Sequence, residues 1–275
     1  MTHLSPGEPT TPTEYLEEAI RARWDGKPPQ PADGVLLVVA RGFEGCRRNV
    51  AVFDARSSVR AFTAQRPRIE DALGYAYGSQ RREFKAGIQP SQIPSEIEAL
   101  LRRLSGARPR TIVEIGTASG GTLFLLASTA TDDALLISVD LPEGEFGGGY
   151  TRKRRKLYRA FARRGQRIEL LRRDSHDLET VRLVHRLLAG RGVDLLFIDG
   201  DHTYEGVSQD YASYASLVRA GGLIAIHDIV PGNQEDVGGV PRFWKELKQT
   251  SDTEEIVRDW NQGGFGIGLV TRSAP

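Results

Sequence analysis

The stretch VEIGTASGGT, residues 113–122, combines the end of an apolar run, an acid and a glycine turn that opens into a helix. Gly116 and Gly120 allow the backbone to approach a ligand closely, and the helix N-terminus offers unpaired N–H groups. The spacing G-x-x-x-G-G differs from the G-x-G-x-x-G dinucleotide fingerprint, and no Lys-Ser/Thr pair follows to make a P-loop. Glu114 at the strand end would repel a pyrophosphate, but it suits a ligand with a cationic or amino group.

A regular alternation of strands and helices surrounds this turn. Apolar strand candidates lie at 110–116, 134–140, 167–174, 193–199 and 222–228, and helical patterns separate them at 121–130, at 177–190 and up to about residue 219. Such an order predicts a parallel sheet covered on both faces, a doubly wound α/β fold. The last two strand candidates, 254–260 and 264–271, have no long helix between them. We therefore expect them to pair antiparallel at one edge.

The N-terminal third follows a different pattern. Residues 1–13 are polar and proline-rich, 14–24 has helical spacing, and 34–55 contains two β-rich runs around a turn, which predicts a hairpin. The sequence therefore predicts an α+β extension over residues 1–89 and a main domain over residues 90–275. The extension could serve as a dimerisation arm, so a homo-oligomer is one expected state.

Composition excludes several classes of protein. The formal net charge is +1, so no global attraction to membranes or polyanions is expected, and nucleic acid is not an expected partner. The single cysteine, Cys46, excludes an intramolecular disulfide and a cysteine-based zinc cluster. No apolar run approaches the length of a membrane span, and the N-terminus lacks the apolar core of a signal peptide. These features predict a cytoplasmic protein.

Acidic residues end the predicted strands on one side of the sheet, where open α/β sheets bind ligands. Asp140 ends the second strand and could accept both hydroxyls of a ribose. Asp174 and Ser175 follow the third strand, where they could bind the amino group of an adenine.

A second acidic pair follows the next two strands. Asp199 ends the fourth strand and Asp228 ends the fifth, and a right-handed crossover brings both carboxylates to the same sheet edge. Two such carboxylates repel each other unless a cation or a proton lies between them. Mg²⁺ suits this position, and His202, three residues after Asp199, could act as general base. The neighbouring Asp201 is expected only to cap the following helix.

The motifs VEIGTASGGT, RRDSHD (172–177), FIDGDHTYEG (197–206) and GGLIAIHDIV (221–230) resemble those of class I S-adenosylmethionine-dependent methyltransferases. More narrowly, they are similar to the macrocin-type sugar O-methyltransferases and the cephalosporin-hydroxylase-like proteins of antibiotic clusters. The resemblance covers about residues 88–271. It implies a Rossmann-like sheet of seven strands in the order 3-2-1-4-5-7-6, with the last strand antiparallel.

The resemblance also implies roles for individual residues. Asp140 would hold the ribose of S-adenosylmethionine, Asp174 and Ser175 its adenine, and Asp199 would border the cofactor as well as a metal. The residues implied to flank the methionine part are Glu114, Gly116, Ser119, Gly120, Gly121 and Thr122.

The same family assigns the metal site and the base by position. Asp199 and Asp228 would be metal ligands and His202 the catalytic base. Residue 227 is histidine where the family carries an acid, so His227 would either bind a softer ion such as Mn²⁺ or Fe²⁺, or only orient Asp228.

Four functional hypotheses follow. The leading one is a metal-dependent O-methyltransferase that acts on a hydroxyl of a small natural product, such as a sugar. The others are a metal-independent methyltransferase with His202 as base, a cofactor-binding accessory subunit, and an NAD-linked Rossmann enzyme, against which the glycine spacing and Glu114 argue. Gln89 and Gln92 are predicted to line the cofactor entrance, while residues 152–173, with eleven Lys or Arg, predict a solvated basic helix face or a contact with an anion.

Overall fold

A computed structural model describes residues 55–78, 87–142 and 149–273 of the chain. The helix predicted at 14–24 and the hairpin predicted at 34–55 lie outside these residues. In the described part of the chain, no helix combines the length and the apolar character needed to cross a membrane.

One seven-stranded sheet organises the fold, in the order 3-2-1-4-5-7-6. Strands β1 to β5 are parallel, while β7 runs antiparallel to both β5 and β6. The prediction of a doubly wound, Rossmann-like sheet with an antiparallel edge is therefore confirmed. The strands are β1 Thr111–Ile115, β2 Leu135–Asp140, β3 Arg167–Arg172, β4 Val193–Ile198, β5 Val218–His227, β6 Thr253–Ile256 and β7 Ile267–Thr271.

Helices connect the parallel strands and cover both faces of the sheet. A helix α1 covers 55–64 within the described residues. The others are α2 Ile69–Gly78, α3 Pro94–Ala107, α4 Gly121–Thr129, α5 Arg155–Tyr158, α6 Leu178–Leu188, α7 Tyr204–Tyr214, α8 Gln234–Val237 and α9 Val240–Leu247. Short 3₁₀ turns follow α5 and α7, at Arg159–Phe161 and Ala215–Leu217.

Alternate side chains of each strand enter two separate apolar layers, because successive strand residues point to opposite faces. Leu136 and Phe197 pack in the layer that includes Leu100 of α3 and Phe124 of α4. The opposite layer contains Val184 of α6, Val207 of α7 and Trp244 of α9. Both faces of the central strands are therefore buried, which explains why their sequences are almost continuously apolar.

Part of the N-terminal extension shares the first of these layers. Phe62 of α1 stacks on Tyr75 of α2 with ring centroids 4.2 Å apart, and Tyr75 lies 5.5 Å from Phe124 of α4. Residues 55–78 therefore pack directly on the helix that follows the glycine turn.

Element ends differ from the predicted ones at three places. The helix after β4 ends at Tyr214, because a 3₁₀ turn and the early start of β5 at Val218 follow it. Strand β5 was expected to begin at Gly222, yet it begins four residues earlier, at Val218, and its residues 219–221 are exposed. Strand β6 is shorter than predicted and ends at Ile256, since only four residues pair with β7.

Candidate functional site

The glycine turn places the ends of β1 and β4 in direct contact. Gly116 has φ +87°, and a Cβ atom there would lie 1.8 Å from the carbonyl oxygen of Asp199. The amide of Asp199 donates to the carbonyl of Ile115 at 2.8 Å. The close approach of the Asp199 backbone therefore requires glycine at position 116. For this reason Gly116 does not by itself indicate a bound ligand. Gly120 caps the N-terminus of α4, which begins at Gly121.

Asp140 binds the backbone of this turn. Its Oδ2 accepts hydrogen bonds from the amides of Thr117 at 3.1 Å, Ala118 at 2.8 Å and Gly149 at 3.2 Å. Burial raises the pKa of Asp140, and the backbone hydrogen bonds oppose that rise. The carboxylate thus links β2, the glycine turn and the chain at Gly149, at the position predicted for a ribose.

Glu114 is fully buried and lies beside Ser138 of β2 and Phe197 of β4 in the sheet register. Neither of its carboxyl oxygens has a hydrogen-bond partner among the described residues. Burial raises the pKa of Glu114 well above its usual value. The hydroxyls of Ser138 and Thr117 oppose this rise, and the charges of Asp140 and Asp199 add to it. A buried carboxyl without partners fits a ligand that brings a cationic amino group.

Gln92 connects the helix after the glycine turn to the end of β4. Its amide nitrogen donates to Asp199 Oδ2 at 2.8 Å, and its amide oxygen accepts from the Thr122 hydroxyl at 2.6 Å. Ser119 donates through its hydroxyl to the carbonyl of Gln89. The sequence placed both glutamines at the cofactor entrance but did not indicate the contact between Gln92 and Asp199.

Asp174 and Ser175 lie in the turn that follows β3, two residues beyond the observed end of the strand. Asp174 is exposed and accepts from the amide of His176 at 2.8 Å, while the carbonyl of Ser175 accepts from the Tyr214 hydroxyl at 2.8 Å. The structure thus places them at the same sheet edge as Asp140, outside the third strand.

Two carboxylates and two imidazoles converge beyond β4 and β5. Oδ1 of Asp199 lies 3.4 Å from Nε2 of His202 and 3.1 Å from Nδ1 of His227. Oδ2 of Asp228 lies 3.5 Å and 3.2 Å from the same two nitrogens. The predicted convergence of Asp199 and Asp228 is observed, and both histidines lie between them.

One ligand atom from each of Asp199, His202 and Asp228 falls within 4.8 Å of the other two. Two carboxylate oxygens and one imidazole nitrogen form a donor set that fits a divalent cation such as Mn²⁺ or Fe²⁺, and Mg²⁺ through the oxygens. Both predicted carboxylates belong to this set, and its third member is His202, which the sequence predicted as the base. His227 is buried, contacts both carboxylates through Nδ1, and has no partner for Nε2 in the described part of the chain.

The side chains of this cluster shift one another's pKa values. Burial opposes ionisation of Asp199, but the charge of His227 and the hydrogen bond from His202 outweigh it and lower the pKa of Asp199. Burial would lower the pKa of His202, yet the carboxylates of Asp199 and Asp228 raise it to about 9. The same carboxylates outweigh burial at His227 and raise its pKa well above the usual value. Protonated imidazoles therefore balance the two carboxylates.

The segment 236–239 fixes the orientation of His202. The carbonyl of Asp236 accepts a hydrogen bond from Nδ1 of His202, and the amide of Gly239 donates to the His202 carbonyl at 2.7 Å. Gly238 has φ +53°, and a Cβ atom there would lie 2.1 Å from that same carbonyl oxygen. Because Nδ1 carries the proton given to Asp236, Nε2 is the nitrogen turned towards Asp199 and Asp228. This backbone contact could not be predicted from the sequence.

The predicted capping role of Asp201 is wrong in its detail. Thr203 is the N-cap of α7, and its hydroxyl oxygen accepts from the amide of Gly206 at 2.9 Å. Asp201 lies two residues earlier, and its carboxylate accepts from the amide of Thr203 at 2.8 Å. Asp201 therefore stabilises the turn before the helix rather than the helix end itself.

A second buried pair lies beneath the loop after β4. Asp210 is fully buried, and its Oδ1 lies 3.3 Å from Nε2 of His176. The interaction with Asp210 raises the pKa of His176 to about 9, although burial opposes the rise. This pair anchors the turn after β3 to α7. The same turn contains Asp174 and Ser175, which were predicted to bind adenine.

Comparison with known proteins relates the part of the chain that contains β1 to β5 to methyltransferases. Residues 113–229 match a family described as a methyltransferase domain. The uncharacterized protein R132 of Acanthamoeba polyphaga mimivirus is 34% identical over 118 residues, which are 43% of this chain. The chain spans about half, 51%, of that relative's length.

Two solved structures share the fold. One is the O-methyltransferase TomG from Streptomyces achromogenes, involved in tomaymycin synthesis and bound to S-adenosylmethionine. It has a TM-score of 0.50 and 21% identity, covering 74% of this chain and 90% of its own. The other is an O-methyltransferase from Bacillus cereus in complex with S-adenosylhomocysteine, with a TM-score of 0.50 and 18% identity, covering 75% and 92%. The chain thus shares its fold with these two O-methyltransferases.

Proposed function

We propose that the chain is an S-adenosylmethionine-dependent O-methyltransferase that methylates a hydroxyl of a small natural product, with a sugar as one candidate acceptor. The observation that carries the proposal is the convergence of Asp199, His202 and Asp228 at the sheet edge next to the glycine turn. The methyltransferase-domain match and the shared fold support the transfer chemistry.

The cofactor would lie across the ends of β1, β2 and β3. Glu114, buried without a partner among the described residues, offers its carboxylate to the amino group of the methionine part. Asp140 faces the ribose, and the turn at Asp174 and Ser175 faces the adenine. S-adenosylmethionine would supply an electrophilic methyl group. The residues of the glycine turn, Gly116 and Ser119 to Thr122, shape the wall beside it.

The acceptor hydroxyl would lie beside His202. The proton on Nδ1 of His202 is held by the Asp236 carbonyl, so Nε2 is the atom that can take a proton from the acceptor. A divalent cation held by Asp199 and Asp228 would lower the pKa of a bound hydroxyl. A nitrogen of His227 would complete the site if His202 is the base; if Nε2 of His202 binds the ion instead, His202 is not the base. Mg²⁺, Mn²⁺ or Fe²⁺ are the candidate ions.

A metal-independent reaction is the second candidate, and one observation favours it. Two imidazoles already lie within 3.5 Å of both carboxylates and balance their charge without a cation. In that case His227 would carry the balancing charge, and the neutral form of His202 would accept the hydroxyl proton, while Asp199 and Asp228 would stabilise the imidazolium that forms.

The proposal also includes a narrower group of methyltransferases, the domain bounds and the cellular location. The D-G-x-H motif at 199–202 and the acid at the end of β5 support a place near the macrocin-type sugar methyltransferases of antibiotic biosynthesis. We further propose that residues 90–275 form the methyltransferase domain, with 1–89 as an extension, and that the protein works in the cytoplasm.

Methyl transfer from isotopically labelled S-adenosylmethionine to a panel of glycosylated and phenolic natural products tests the proposal. The assay is run with Mg²⁺, with Mn²⁺ and with excess chelator. Labelled product that forms only with metal supports the first candidate, and equal product in chelator supports the second. Tight binding of S-adenosylhomocysteine without transfer to any hydroxyl would instead favour an accessory subunit. Failure to bind S-adenosylhomocysteine would contradict the whole proposal.

A further inference from the structure

The segment 152–173 carries a concentration of positive charge that the proposed transfer reaction does not use. It contains eleven Lys or Arg and one acid, Glu169, in a chain whose net charge is only +1. Glu169 lies 2.5 Å from Arg167 and is thereby already paired. The rest of this segment has therefore almost no internal counter-charge.

Four of these arginines surround one cavity at the outer strand of the sheet. The cavity has a volume of about 270 Å³, and its walls come from the start of α5, the turn before it, and the end of β3 with the residue that follows. We call it the arginine cavity; its lining residues are Arg152, Arg155, Leu170, Leu171, Arg172 and Arg173. None of its described lining residues is acidic, and both lysines of the segment, Lys153 and Lys156, lie outside it.

Arg152, Arg155 and Arg173 form no ion pair with any residue that the structure describes. The Nε atom of Arg155 is buried and lacks a hydrogen-bond acceptor among those residues. A buried guanidinium N–H without an acceptor is costly, and an oxyanion in the cavity would satisfy it. The cavity therefore has both the net charge and an open donor for an anion.

Arg172 is held in place by the backbone next to the predicted ribose site. Its Nε donates to the carbonyl of Tyr150 at 2.7 Å, and its Nη2 donates to the carbonyl of Pro142 at 2.9 Å. Those bonds use two of the five N–H groups of a guanidinium. One wall of the arginine cavity is consequently fixed, and it lies next to the chain that binds Asp140 through Gly149.

We propose that the arginine cavity binds the phosphate group of a small phosphorylated molecule. Four guanidiniums around one compact cavity suit the bidentate recognition of phosphate oxygens, which arginine performs better than lysine. Arginines that only face solvent would not need to converge on one cavity. The inference is independent of the proposed transfer reaction, since it requires neither His202 nor the carboxylate pair.

Calorimetric titration of the full chain with inorganic pyrophosphate at low ionic strength tests the inference. The wild type should bind one pyrophosphate per chain, and the double variant Arg155→Gln/Arg173→Gln should bind it at least about tenfold more weakly. Arg173→Gln alone, at an exposed position, repeats the test with little risk to folding. The matched control is Arg159→Gln/Arg164→Gln, which removes two exposed arginines of the same segment outside the cavity and should change the affinity less than about twofold.

Three results would overturn the inference. One is the absence of saturable pyrophosphate binding to the wild type. Another is an equal loss of affinity in the cavity and control variants, which would indicate a diffuse basic surface. The third is tight binding of a single-stranded oligonucleotide, with an equal loss of affinity in all variants. That result would assign the basic segment 152–173 to nucleic-acid binding. Thermal unfolding curves that match the wild type show that the variants are folded.

Discussion

The amide nitrogen of Gln92 lies 2.8 Å from Oδ2 of Asp199, across 107 residues of sequence. The other end of the same amide accepts a hydrogen bond from Thr122. One buried side chain thus connects the helix after the glycine turn to the acid at the end of β4, and so links the proposed cofactor side of the site to the proposed acceptor side.

Replacing Gln92 by leucine should therefore destabilise the protein. The substitution leaves the buried Thr122 hydroxyl without its acceptor and removes one donor from Asp199, so we expect a loss of about 1–3 kcal/mol in the free energy of unfolding. Urea unfolding measures it. Gln249→Leu, at an exposed position after α9, is the control and should change stability by less than about 0.5 kcal/mol. An equal effect of both substitutions would show that the Gln92 contact contributes nothing.

Alanine at Gly116 should be far more harmful than alanine at another glycine of similar backbone conformation. Gly116 and Gly190 have φ of +87° and +81°, but a Cβ at Gly190 meets no atom within 4 Å. Gly190→Ala should cost about 1–2 kcal/mol from backbone strain alone. Gly116→Ala adds the clash with the Asp199 carbonyl and should cost about 1–3 kcal/mol more. Equal losses in thermal or urea unfolding would contradict the close approach of β1 and β4.

Gly238→Ala should impair transfer without impairing cofactor binding. A Cβ at this position displaces the His202 carbonyl, and a displacement of about 1 Å in a reacting group can cost on the order of a hundredfold in rate. We expect kcat to fall at least about tenfold, with the Kd for S-adenosylhomocysteine within about threefold of wild type. Gly263→Ala, which also has positive φ but no clash, should leave kcat within about threefold. An equal fall of kcat in both variants would show that the position of His202 does not determine the rate of transfer.

The His176–Asp210 pair should make stability depend on pH. The pKa of His176 is raised to about 9 in the folded protein, against about 6.5 in an unfolded chain. Its contribution is therefore complete below about pH 6.5 and is lost as the pH rises through about 9. The destabilisation caused by His176→Gln should accordingly be larger at about pH 6 than at about pH 9.5.

Urea unfolding at the two pH values measures this difference. His185→Gln, at an exposed position of α6, controls for the loss of a histidine and should change stability by less than about 0.5 kcal/mol. A His176→Gln deficit that is the same at both pH values would contradict the ion pair.

The sheet and the strand-end acids could be predicted because local patterns determine them. Each central strand is buried on both faces and therefore reads as an apolar run, and Asp140, Asp199 and Asp228 stand where such runs end. Parallel pairing then brings these acids to one edge, whatever the details of the intervening helices.

Contacts made by backbone atoms or by distant loops could not be predicted. The Asp236 carbonyl that orients His202 has no signature in sequence, since any residue type supplies a carbonyl. The contact of Gln92 with Asp199 depends on how the segment before α3 crosses the glycine turn. The distances of His202 and His227 to the two carboxylates depend on the same tertiary geometry; the sequence predicted His202 as the base and left His227 as a metal ligand or as a residue that orients Asp228.

The central claim of the metal-dependent candidate is that Asp199 and Asp228, together with one imidazole nitrogen, hold a divalent cation. Titration of Mn²⁺ into the protein with saturating S-adenosylhomocysteine, followed by electron paramagnetic resonance, tests it most directly. Asp228→Asn is the informative variant, because asparagine tolerates the φ of +63° at this position while removing the charge. Asp201→Asn, in the same loop as Asp199 but outside the cluster, is the control. The account predicts one Mn²⁺ per chain in the wild type and in Asp201→Asn, and none in Asp228→Asn, with S-adenosylhomocysteine still bound in all three. Absence of Mn²⁺ from the wild type, or its undiminished binding to Asp228→Asn, would contradict the claim.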